Sequence, residues 1–156
     1  MKKETQSIIK NLENTLSGQP WFGRAVYEIL EEVNEAEVNK KPGSKGHSMI
    51  ELLYHMLTWA EFTLSRLEKI PELNLVEFEK MDWREIDPTV HGWEKGIEQL
   101  KKTHEQIVSI LQKKDDAFLK EIVEEREYNF RFLLNGLIQH NIYHLGQIAY
   151  VKKLLS

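Results

Sequence analysis

The sequence predicts an all-α protein, a four-helix bundle. Helical periodicity dominates the chain, and glycine and proline are sparse and confined to a few places. A third observation bears on topology. Residues 70–90, which include Pro71 and Pro88, show little periodicity and make a link far longer than an antiparallel helical turn needs. A link of that length can cross the end of the bundle, which favours an up-down-down-up order.

The first helical segment, about 4–16, places Ile8, Ile9, Leu12 and Leu16 together. Gly18-Gln19-Pro20 interrupts it. A second piece follows Gly23 with Val26, Ile29, Leu30 and Val33, and the two can be taken as one broken first helix. Lys41 to Gly46 holds two glycines and a proline and must be a loop. The next helix, about 48–69, begins at Ser48, with Glu51 at capping-box spacing. Leu52, His55, Trp59 and Phe62 form its inward stripe. After the long link, Trp93, Ile97, Leu100, His104, Ile107 and Leu111 mark a helix over about 91–113. Asp115-Asp116 breaks the pattern, and 117–129 reads as a short helix or an ordered approach. The last helix, about 130–154, carries Leu133, Leu137, His140, His144, Ile148 and Val151 on one stripe. No second domain or internal repeat is visible, so residues 1–156 are expected to form a single domain.

Composition narrows the function classes. The chain has no cysteine, which excludes a thiolate metal site, a thiol nucleophile and a disulfide framework. No apolar run approaches the roughly 20 residues that span a bilayer, and Met1 to Lys10 lacks the apolar stretch of a signal peptide. The expectation is a cytoplasmic protein with no membrane partner. A net charge of −4 is unfavourable for binding nucleic acid, and none is expected as a partner.

The histidines carry the chemistry. His140 and His144 stand four apart on a helix, so both imidazoles share a face within an otherwise apolar stripe. A buried imidazole needs a partner for each ring nitrogen. A metal ion satisfies one nitrogen of each ring at once and leaves the other N–H free to donate. His55 takes the place of a hydrophobe between Leu52 and Trp59 on another helix. Packed helices lie roughly 8–10 Å apart, within reach of a common ion. Spacing alone does not show that His55 meets the pair, and a lone histidine on an apolar stripe is more often a core residue. Three neutral imidazoles with a fourth position open is the arrangement of a catalytic zinc site. His104 lies about six residues deeper in its helix than His55, about 9 Å of rise, and is left outside the set as a core or pocket residue. His47 and His91 fall near helix starts, as exposed or pocket-rim residues.

The sequence resembles the DinB/YfiT-like family of metal-dependent enzymes. The resemblance rests on the stretch His47 to Trp59 and on Gly136 to Ile148, above all its His-x-x-x-His-x-Gly-Gln-Ile pattern. Gly18 to Gly23 and Asp82-Trp83 resemble one branch. The resemblance implies a four-helix bundle with up-down-down-up connectivity and a three-histidine site at His55, His140 and His144. It also implies a bound divalent ion, zinc or nickel foremost, and a homodimer. Related branches include S-transferases that use a low-molecular-weight thiol as cosubstrate, isomerases and hydrolases.

An ion on three neutral imidazoles can ionise either water or a small thiol, so no protein nucleophile is needed. The expectation is a thiol-dependent S-transferase or a hydrolase acting on a small electrophilic substrate. Glu51 and Gln147 are the candidate catalytic side chains. Glu51 lies one turn before His55, as a cap, a proton acceptor or a support for the imidazole. Gln147 lies three residues after His144 and is placed to hydrogen-bond a ligand or the metal shell. Trp59 is expected to pack or to wall an apolar pocket. Trp21 and Trp83 lie in irregular segments, and each is expected to anchor a loop over the bundle mouth. The rival classes are a non-catalytic stress-response bundle that binds metal or ligand, and a helical adaptor.

Overall fold

The computed structural model describes residues 1–70 and 73–156, and Pro71 of the long link lies outside them. The described residues form α1 (Lys3–Ser17), α2 (Val26–Glu31), α3 (Met49–Glu68), α4 (Leu75–Lys80), α5 (Trp93–Leu111) and α6 (Phe130–Leu155). Two 3-10 turns, Glu35–Glu37 and Asp116–Lys120, join them. No helix among the described residues is long and apolar enough to cross a membrane.

α3 is the axis of the molecule. Its start is closed by a full capping box: Ser48 Oγ accepts from the Glu51 amide, and the Glu51 carboxylate accepts from the Ser48 amide at 3.2 Å. Its sequence predicts one apolar stripe, but Met49, Ile50, Leu52, Leu53, Tyr54, Met56 and Leu57 are all buried, so nearly its whole circumference is covered. α5 and α6 supply most of that cover. Gly96 allows α5 to approach closely, because a Cβ there would meet Leu53 Cδ2 at 2.8 Å. Tyr54 Oη donates to the Gly92 carbonyl at 2.8 Å and ties the start of α3 to the start of α5.

α1 is held from outside. No side chain of its own caps it. Asp116, more than 110 residues away, accepts from the Glu4 amide at 3.1 Å and from the Thr5 amide at 2.8 Å. A carboxylate at that position also suits the helix dipole. Arg131 at the start of α6 grips Glu4, with Nη2 donating to Oε1 at 2.8 Å. The start of α1 thus lies beside the start of α6 and the end of α5.

The structure departs from expectation in four places. α1 and α2 are separate helices, not one broken helix, because the turn from Gly18 to Arg24 lies between them. α5 begins at Trp93, two residues late, after a turn in which Asp87 binds Thr89. The link contains a helix the periodicity did not reveal, α4, capped reciprocally by Asn74 and Glu77. Trp21 anchors nothing: it is 99% exposed.

Candidate metal centre

The interior faces of α3 and α6 bring three imidazoles together. His55 and His144 are 7% and 6% exposed, and His140 is half-buried beside them. His55 Nε2 lies 3.0 Å from His144 Nε2 and 3.0 Å from His140 Nε2. One ligand atom from each of the three falls within 4.8 Å of the others. Among the described residues no fourth His, Asp or Glu joins the group.

The hydrogens decide what this cluster is. His55 Nδ1 lies 2.9 Å from the Asp82 backbone carbonyl, which can only accept, so Nδ1 carries the hydrogen. His144 Nδ1–H likewise donates to Gln147 Oε1 at 2.6 Å. In the neutral rings both Nε2 atoms are therefore bare lone pairs, and they face each other at 3.0 Å. His140 cannot relieve the conflict. If its hydrogen is on Nε2, it can donate to one neighbour only. If it is on Nδ1, that hydrogen is buried with no partner. With Gln147 Oε1 accepting from His144, no placement of protons on the neutral rings satisfies the trio, and an unpaired buried polar group costs about 1–3 kcal/mol. Adding protons is opposed too. Burial, reinforced by the neighbouring His144 and His55, pushes His140 down to about 3. Burial also lowers His55 against the pull of Asp82, and lowers His144 against the pull of Gln147.

A divalent cation fits what the residues offer. Three neutral nitrogens point inward, and two of the rings are oriented by acceptors on their far sides. Zinc bonds of about 2.0–2.1 Å at tetrahedral angles set ligand nitrogens about 3.3 Å apart. The 3.0 Å contacts need only a slight opening to match.

The segment after α4 completes the support. Asp82 Oδ1 also lies 2.9 Å from His55 Nδ1, and it accepts from Trp59 Nε1 at 2.7 Å. Thr58 Oγ1 donates to the Met81 carbonyl at 3.0 Å. Trp83 stacks flat on His55 at 3.9 Å between centroids, and His47 stacks on the far side of Trp83 at 3.7 Å. Trp83 is thus an anchor over the site, as its sequence context predicts. Asp82 is the supporting residue that spacing could not reveal, since it lies in the irregular link and meets His55 with its main-chain carbonyl as well as its carboxylate.

Gln147 stands where its spacing puts it, on His144. Glu51 faces the other way, and its hydrogen bonds go to Ser48 and to His47, with Lys41 at 3.5 Å. Burial pushes its carboxyl up, but the bonds from His47 and Ser48 together outweigh that and hold it below the ordinary carboxylate value. Its link to the trio runs only through His47 and Trp83. His104 is separate, its Nδ1 2.9 Å from Tyr27 Oη and its Nε2 3.1 Å from Asn141 Nδ2.

No curated protein matches the chain. The family model of the DinB superfamily matches residues 22–148, a span that contains all three histidines together with Asp82 and Gln147. With an all-helical fold and a match over most of its length, the chain belongs to the DinB superfamily.

Proposed function

We propose that the protein is a metal-dependent enzyme acting on a small electrophilic substrate, as a thiol-dependent S-transferase or a hydrolase. His55, His140 and His144 are the ligands in this proposal, and zinc or nickel is the ion. The single observation that carries it is the set of facing Nε2 lone pairs that no arrangement of protons can satisfy. A divalent ion held there supplies Lewis acidity toward water, a thiol or a polarised carbonyl.

The chain's own residues supply the rest. Asp82 and Gln147 fix the two buried imidazoles in the tautomer that presents Nε2. Trp83 covers His55 and keeps water from its face. Glu51 is a positioning residue, holding His47 against Trp83. The absence of a fourth carboxylate or imidazole from the group among the described residues supports an open position for substrate. His140 is the least buried of the three and lines a surface groove, which makes it the side of approach.

A homodimer and a cytoplasmic location belong to the same proposal. Along α6, Tyr143, Tyr150 and Leu154 are exposed on one face, with Gly146 among them and open space at its Cβ position. Such a stripe suits a second copy of the chain. The burial of His55 and His144 favours a second reading, a bundle that binds an ion without turnover.

Metal content of the purified chain, measured by elemental analysis after dialysis, should be one ion per chain. Conjugation of a thiol to an electrophile, or hydrolysis of an activated ester, should vanish on chelation and return with zinc or nickel. A chain that takes up no stoichiometric ion sinks the site. Uptake without any turnover leaves the second reading in possession.

A further inference from the structure

We propose that the groove beside His140 is the subsite for an uncharged aryl group of the substrate, about the size of one benzene ring. This rests on the proposed metal-dependent activity, and it names the substrate class that the activity serves. The groove has a volume of about 180 Å³ and is walled by the rings of Trp59, Phe62, Tyr128 and Phe132, with Gly136 and His140 also lining it. An apolar cavity of about 150 Å³ in another protein is enough to hold benzene, so the groove has room for one ring.

The lining contains no charged side chain that would ask for a charged ligand. Two of its polar side chains are engaged elsewhere: Trp59 Nε1–H donates to Asp82, and Thr63 Oγ1 donates to the Trp59 carbonyl at 2.8 Å. Aromatic walls favour an aromatic guest through offset and edge-to-face contacts. Phe132 stands 65% exposed at the rim, an apolar surface that a guest would cover.

Gly136 is the second observation. It lies inside α6, where glycine is the least favourable residue other than proline. Its φ is not in the left-handed region, so the backbone does not require it. No heavy atom lies within 4 Å of the position a Cβ would take, so packing does not require it either. What its missing side chain preserves is the space of the groove. A leucine there would lean back over the preceding turn, where Phe132 and Leu133 line the same groove.

The test uses the full chain, metal-free and zinc-loaded, with fluorobenzene as the probe in ligand-observed fluorine NMR. Saturable binding is expected in both forms, and Gly136→Leu should weaken it about tenfold or more. Zinc stoichiometry and helical content should stay unchanged in that variant. Phe132→Ala, at an exposed position, should fold normally and weaken the probe a few-fold. In cobalt-loaded protein the bound fluorine signal should broaden relative to zinc-loaded protein, because His140 belongs to both groove and ion site. Absence of saturable binding, or equal binding by parent and Gly136→Leu, overturns the subsite while leaving the ion proposal standing. Probe binding without zinc uptake supports the groove and overturns the ion. If Gly136→Leu instead changes the oligomeric state in sedimentation and the parent binds no probe, the groove is a contact between copies, and the subsite is overturned.

Discussion

Two settings in this bundle bury histidine, and they differ in how the ring nitrogens are partnered. His104 on α5 is 1% exposed, and each of its nitrogens meets one protein group, Tyr27 on one side and Asn141 on the other. The trio of His55, His140 and His144 is slightly less buried, yet its Nε2 atoms meet only one another. Burial is common to both, so burial does not make a ligand. The difference lies in what the protein leaves unanswered: His104 is complete without a guest, and the trio is not.

Removing a ring from each setting should separate them most sharply. His144→Ala should weaken zinc by well beyond the roughly 10- to 100-fold that an outer partner controls, as read by competition with a chromophoric chelator. His104→Gln should bind zinc as the parent does and be less stable. Equal zinc affinities in the two variants would erase the contrast.

Acid should reveal the closed setting next. Burial holds His104 down to about 4 in the folded chain, against about 6.5 when unfolded. Between those values the unfolded chain binds a proton that the folded chain refuses. The stability His104 contributes is therefore present above pH about 6.5 and lost as pH falls through about 4, with a full size of about 3 kcal/mol. Urea unfolding of metal-free protein at several pH values should show this loss, and His104→Gln should flatten it. His55, His140 and His144 add their own acid dependence to both proteins alike. A parallel pH profile for the two proteins would contradict the assignment.

The smallest effect concerns support. Gln147→Ala should leave the fold intact and weaken zinc about 10- to 100-fold by freeing the His144 ring. Tyr27→Phe, its counterpart on His104, should leave zinc untouched and cost about 1 kcal/mol of stability.

The sequence made the rings of the proposed site more legible than their supports. His140 and His144 announce themselves by helical spacing, and His55 by standing where a hydrophobe belongs. Gln147 follows from the same periodicity. Asp82 does not, because it lies in a stretch with no period and offers His55 its carbonyl as well as its side chain. Asn74 and Glu77 had capping spacing before Leu75, Val76 and Phe78, a signal for α4 obscured by the surrounding irregular link. Glu51 shares a helix face with His55, but a carboxylate three residues into a helix reaches back to the open amides, and there it meets His47. The separation of α1 from α2, and the capping of α1 by Asp116, depend on distant contacts that no local pattern encodes.

The grip of Asp82 on His55 couples the connector to any ion held by the trio. The segment from Met81 to Trp83 fastens to α3 at Thr58, Trp59 and His55, one of which is an ion ligand in the proposed site. Whatever tightens that imidazole also tightens the connector, by the linkage that joins any guest to the conformation it selects. Cation loading would then be felt as slower amide exchange and protease cleavage around Asp82, far along the chain from the final helix that contributes two of the three rings.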